Sequence, residues 1–172
     1  MITQTEKEAV TGWFVGRLPE EWCAAGAQIA VDREEITVLL TIPDPELDGA
    51  SEIALAEARA GRAKAFREDT RERRVEIARE GQHRFGATVS WGVLVGDHRE
   101  HWTHVAAPVM TRLRQPQRQV LDTLVEAGVA RSRSEALGWC VRLVGQHEDD
   151  WLAQLREATG AVADVRAQGP TA

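Results

Sequence analysis

Cysteine is scarce in this chain: Cys23 and Cys140 are the two present, and they form no C-x-x-C pair. That excludes a disulfide framework and a thiolate zinc site, and leaves two reduced, mostly buried thiols as the expectation. Long apolar runs are also missing. The longest candidate, Val89-Ser-Trp-Gly-Val-Leu-Val95, has the length of a strand and falls far short of the roughly 20 residues a membrane helix needs. The first residues, Met1-Ile-Thr-Gln-Thr-Glu-Lys-Glu, lack the basic and apolar regions of a secretory signal. A cytoplasmic protein with no membrane partner is therefore expected. Lysine is nearly absent, with Lys7 and Lys64 alone against a large excess of arginine. Together with the abundant Ala, Val and Gly, this is the composition of a GC-rich bacterial genome.

Enzyme signatures are lacking too. There is no Gly-rich phosphate loop, since Gly92 and Gly96 flank a strand and form no nucleotide fingerprint. Ser51 and Ser90 sit in no nucleophile elbow, and no nucleophile stands at a recognisable spacing from a base. The chain is read as a non-enzyme without a cofactor. The run Asp97-His-Arg-Glu-His-Trp-Thr-His104 is not the His-Glu-x-x-His zinc pattern. Its bland reading is a polar loop joining two strands. If a metal bound there, His98, His101 and His104 would be its ligands.

What is present fits a folded protein of 172 residues. Apolar residues make up 43% and charged residues 28%, which leaves room for a core and excludes wholesale disorder. The net charge of −6 argues against a non-specific nucleic-acid coat. Its distribution matters more: residues 1–50 carry three basic and ten acidic side chains, residues 146–172 two and five, and the middle holds an excess of four positive charges. An acidic total therefore does not exclude DNA binding.

Along the chain, Gln28–Val31 and Ile36–Ile42 read as strands joined by a turn at Asp32-Arg-Glu-Glu35. A helix is expected from about 51 to 83, with Gly61 and Gly81 as its weak points. Its charge-dense stretch Arg67–Arg74 is expected to be a solvated face; a phosphate-contacting face using Arg67, Arg71 and Arg74 is the alternative. A strand from Thr88 to Val95 closes a small α+β unit, followed by a polar connector over 96–105. The six tryptophans, at 13, 22, 91, 102, 139 and 151, are expected in packing, a minority of them lining a ligand pocket.

The last third reads as strand, helix, turn, helix. In Pro108-Val-Met-Thr-Arg-Leu-Arg-Gln-Pro116, strand alternation puts Val109, Thr111 and Leu113 on one face and Met110, Arg112 and Arg114 on the other. So short a strand needs a partner, which a second copy would supply. Val120, Leu121, Leu124 and Val125 then fall at helical spacing between Pro116 and Gly128. A second helix opens at Ser132, where Ser132 and Glu135 fit a capping box. Its apolar stripe is Ala136, Leu137, Cys140, Val141 and Val144.

The stretch Leu124-Val-Glu-Ala-Gly-Val-Ala-Arg-Ser-Arg-Ser-Glu-Ala-Leu137 resembles the helix-turn-helix junction of ribbon-helix-helix (CopG/Arc-like) DNA-binding proteins. The resemblance covers about residues 106–150. Joined to the reading of the first hundred residues, it gives an α+β chain in three parts: an α+β domain of unassigned role (1–105), a ribbon-helix-helix module that dimerises through its strand (106–158) and a flexible tail (159–172). It implies a homodimer, forming higher-order assemblies on DNA, whose paired strands enter the major groove of double-stranded DNA. Met110, Arg112 and Arg114 would read bases; Ser132, Arg133 and Ser134 would hold a phosphate at the second helix. Val109, Leu113, Leu121, Leu124, Leu137 and Val141 would form the dimer core. The rival expectation is a dimeric protein-interaction or antitoxin-like module that does not read sequence, with the N-terminal region open to a protein partner. In this chain Arg114-Gln115 intervene before Pro116, and about a hundred residues precede the module, both departures from the family's usual layout.

Overall fold

The computed structural model describes residues 3–23, 25–47, 49–103 and 105–168. The chain is mixed α and β and divides into two compact units, Met1–Ala107 and Pro108–Ala172. No described helix is long and apolar enough to cross a membrane.

The N-terminal unit begins with α1 (Gln4–Arg17) and the short α2 (Glu20–Cys23). Thr3 opens α1: its hydroxyl accepts from the Glu6 amide at 3.2 Å while the Glu6 carboxylate accepts from the Thr3 amide at 2.7 Å. Val10 and Phe14, one turn apart, then point into the core.

Strands β1 (Ala27–Val31) and β2 (Glu35–Ile42) form the expected antiparallel hairpin. Asp32 makes the turn, its Oδ1 accepting from the amides of Glu34 and Glu35 at 2.9 and 2.7 Å.

The single helix expected over 51–83 is two, α3 (Glu52–Asp69) and α4 (Arg71–Phe85), parted at Thr70. Neither glycine causes the break. The Thr70 hydroxyl donates to the Phe66 carbonyl at 2.5 Å, and the Arg74 guanidinium donates to the Arg67 carbonyl at 2.7 Å. The Phe66 carbonyl also keeps the Thr70 amide, at 3.1 Å, whereas the Arg67 carbonyl is taken by the Arg74 side chain in place of the next helical amide. Gly81 is instead a close-packing site, where a Cβ would lie 3.1 Å from Phe14 and 3.2 Å from Val89.

After the two-helix crossover, β3 (Thr88–Val95) lies parallel to β2, and β4 (His98–His101) returns antiparallel, giving the order β1-β2-β3-β4. The connector expected at 96–105 therefore holds a strand. Its turn depends on Gly96, whose φ is +58° and which lies beneath the Arg59 guanidinium. Arg59 clamps this end of the sheet by pairing with Asp44 at 2.8 and 2.6 Å and with Asp97.

The described helices of this unit all pack on one face of the sheet. There Phe14, Trp22 and Ile77 meet Ile36, Val38, Leu40, Val89 and Trp91, and Ala63 meets Ile42, Val93 and Val95.

The C-terminal unit contains α5 (Gln115–Glu126), α6 (Arg133–His147) and α7 (Asp149–Gln168). Of the stretch expected as a strand, residues 108–114 form neither helix nor strand, and Gln115 and Pro116 already belong to α5. The physical reason is that a strand exists only against a hydrogen-bonding neighbour. The tail expected from residue 159 begins inside α7, which stays helical to Gln168.

Candidate nucleic-acid interface

Helix α5 starts where proline permits: Pro116 occupies its first turn, where a missing amide hydrogen costs no intrahelical bond. Arg114 is its N-cap residue, and the Arg114 amide donates to Gln117 Oε1 at 2.9 Å. Arg118 folds back and donates to the Leu113 carbonyl at 2.7 Å, tying the helix to the segment before it. At the other end Gly128, with φ +75°, turns the chain out of the helix, and Val129 and Ala130 donate to the Leu124 carbonyl.

Ser132 caps α6, accepting from the Glu135 amide at 3.2 Å. The reciprocal half of the expected capping box differs: the Glu135 carboxylate accepts from the Arg131 amide at 2.8 Å, one residue upstream of Ser132. The Arg131 guanidinium pairs with the same carboxylate, which holds the Glu135 carboxyl below its usual range.

Arg133 reaches across to α5 and binds Asp122 in a fork, at 2.6 and 2.8 Å. This pair bridges α5 and α6 and lowers the Asp122 carboxyl below its usual range. The Arg133 guanidinium is thus engaged within the protein; what it leaves at the helix start are the Arg133 and Ser134 amides, which have no intrahelical acceptor. Arg131, Ser132, Ser134, Gly138 and Arg142 line a shallow depression there.

The apolar residues divide sharply. Leu121, Ala130 and Ala136 are buried, with Leu113, Leu124, Val125, Leu137 and Cys140 packed against them. Of the expected dimer core, Leu113, Leu121, Leu124 and Leu137 thus already meet within one chain. Val109 and Val141 do not: they are 85% and 65% exposed. Met110 is 95% exposed, and Arg112 and Arg114 are exposed and make no ion pair among the described residues. Val120, Val144, Trp151, Leu155 and Val162 also face water.

The histidines expected as weak metal candidates are not brought together. His98 pairs with Val95 and His101 with Gly92, so the two lie on opposite faces of β4. His98 stands 3.8 Å from Glu100, while His101 Nε2 accepts from Arg99 Nε at 3.2 Å. His104 lies outside the described residues.

One group was misjudged from sequence. Arg74, expected on a solvated or phosphate-facing surface, is buried against Trp91 and Trp102, whereas Arg67 and Arg71 are exposed. The signal available was spacing: Phe66, Thr70, Arg74 and Ile77 fall at intervals of four, four and three, on one face of a helix.

Comparison with known proteins adds relatives in both units. Residues 8–101 match the family model of the Rv1265-like protein N-terminal domain, and residues 114–166 match that of the Mb1296 C-terminal domain. Met110 and Arg112 fall between the two matches. No solved structure matches significantly. Rv1265 of Mycobacterium tuberculosis and Mb1296 of Mycobacterium bovis, both described as uncharacterized proteins, are each 55% identical over 167 residues. Those alignments cover 97% of this chain and 73% of each relative. Matched in both units and along nearly its whole length, the chain belongs to the Rv1265-like family.

Proposed function

We propose that the protein is a homodimeric, sequence-specific DNA-binding regulator whose C-terminal unit works as a ribbon-helix-helix module. The observation that carries this reading is the state of residues 108–114. An alternating apolar and basic segment, with Val109 and Met110 almost wholly in water, pairs with no strand among the described residues and precedes two helices whose shared cluster buries Leu121, Ala136 and, in the turn between them, Ala130. A second copy satisfies both deficits at once. Its own 108–114 segment completes an antiparallel ribbon, and its helices cover Val109 and Val141.

The other face of the ribbon then presents Met110 and Arg112 to the major groove, with Arg114 at the start of α5 beside them. Two copies of the α6 N-terminus, each offering the Arg133 and Ser134 amides, take flanking phosphates. Those contacts set position and register; the arginines set sequence.

A second reading is favoured by a specific observation. Arg131 and Arg133 spend their guanidinium charge on Glu135 and Asp122, leaving few free cations at the junction. In that reading the same dimer binds a protein partner without reading DNA.

Genome-wide DNA capture with the wild-type protein and an Arg112→Ala/Arg114→Ala double variant, with dimerisation measured in parallel, separates the two. The regulator predicts palindromic sites, a steep loss of affinity with salt, and loss of the sites in a variant that is still dimeric. Enrichment that is absent, or unchanged by the variant, sinks the base-reading mechanism and leaves the protein-binding dimer.

A further inference from the structure

Arg74 is 7% exposed, yet it has no carboxylate within ion-pair distance among the described residues. Its Nε donates to Thr70 Oγ1 at 3.0 Å and one terminal nitrogen donates to the Arg67 carbonyl at 2.7 Å, both neutral acceptors. The guanidinium stacks over Trp102, 4.4 Å from the ring centre, with the Trp91 ring centre at 6.0 Å. Burial, followed by repulsion from Arg67 and Arg71, pulls its pKa down to about 10. Ring faces offset only a fraction of the desolvation cost of a cation, and buried cations are ordinarily matched by an anion.

The surroundings repeat the imbalance. Trp91 Nε1 and Trp102 Nε1 are buried donors with no acceptor, and His98 Nε2 on the adjacent strand is buried and unpartnered as well. The Glu100 carboxylate lies 3.7 Å from Arg67 and 3.8 Å from His98 and makes no ion pair with Arg74. Polar groups this well enclosed are nearly always bonded. Between the α3–α4 break and the β3–β4 edge, the Arg74 guanidinium and the two indole N–H groups thus have no carboxylate acceptor among the described residues.

We propose that this space receives a small anion, a carboxylate or phosphate group, that accepts hydrogen bonds from Arg74 and from the indole N–H groups of Trp91 and Trp102. Arg67, half exposed, and Trp102, partly exposed, form the rim by which it enters. The site belongs to the N-terminal unit and does not depend on the DNA-binding reading of the other unit.

The test titrates the full chain with inorganic phosphate and, separately, with acetate, at constant ionic strength, following tryptophan fluorescence and the thermal midpoint. A saturable response to at least one of them is expected, and which one names the headgroup. Arg74→Gln should weaken it about tenfold or more, as loss of a charge-assisted hydrogen bond does. Trp102→Phe keeps the ring beneath the guanidinium, removes the donor, and should weaken binding several-fold. Circular dichroism establishes which variants fold. If Arg74→Gln does not, Trp102→Phe decides alone. No saturable response to either anion, or affinity unchanged in the folded variants, overturns the site.

Discussion

The N-terminal unit buries sixteen apolar residues among those described, and Phe14, Ile36, Val38, Leu40, Ile77, Val93 and Val95 are wholly out of contact with water. The C-terminal unit, with three helices, buries Leu121, Ala130 and Ala136. Both obey the same local rules: caps, turns and fork-shaped ion pairs are as well formed at Ser132 and Asp122 as at Thr3 and Asp32. Local order therefore does not measure self-sufficiency. A domain stands alone when apolar burial outweighs chain entropy. The first unit has the core to do so by itself, whereas the second carries its unburied apolar residues on the outside, where a second copy can cover them.

The sharpest way to break this comparison is to cut each core and ask whether concentration matters. Phe14→Ala should destabilise the N-terminal unit by about 3–5 kcal/mol, the usual cost of a deleted buried ring. Chemical denaturation should show the same loss at low and high protein concentration. Leu121→Ala should cost about 2–3 kcal/mol in the C-terminal unit. There the proposed dimer couples folding to association, so the wild-type transition should rise with concentration, and the variant should shift the protein toward monomer in sedimentation. A concentration-independent transition in a monomeric wild-type protein would end the comparison.

The same contrast explains what was legible in the sequence. The hairpin, β3, α5 and α6 are written locally, in turn residues, proline and glycine positions and spacing, and each is where it was expected. The break at Thr70 was not legible, since it depends on a carbonyl captured by a side chain from the following helix, Arg74. Strand β4 was missed because His98-Arg-Glu-His101 carries no apolar alternation; its place comes from pairing with β3. The segment at 108–114 is the opposite case. Its alternation reads as a strand, but no strand among the described residues pairs with it. Among the candidate DNA contacts, the resemblance made Arg112 and Arg114 base readers and Arg133 a phosphate contact, and geometry separates them too: the first two are exposed and make no ion pair among the described residues, whereas Asp122 holds Arg133.

A smaller effect sharpens the role of the junction. Ser132→Ala removes the acceptor for the Glu135 amide and should cost about 1 kcal/mol. Because the cap belongs to a single chain, the loss should be read in the C-terminal transition and leave the N-terminal one unmoved. Calorimetry that resolves two transitions checks this; an equal shift of both would mean that the units do not melt separately.

The smallest expected effect concerns acid. Asp122 has its carboxyl lowered from an ordinary value of 3.8 by hydrogen bonding to Arg133 and by the nearby charges of Arg133 and Arg118. A carboxylate lowered in the folded state contributes stability above its unfolded pKa and loses it as pH falls through the folded value. The α5–α6 fork should therefore be intact at neutral pH and begin to weaken only below about pH 3.8. Glu135 behaves in the same sense from its ordinary value of 4.5, so acid loosens both ties at the α6 start. Asp122→Asn removes one of these two titrations. Its C-terminal transition should lie slightly below wild type at pH 7 and converge with it as the pH falls below 3.8. Parallel curves at all pH values would show that the exposed pair contributes nothing measurable, as many surface ion pairs do. The α5–α6 junction would then rest on the cluster around Leu121, Ala130 and Ala136, which is the small core that the proposed second copy would enlarge.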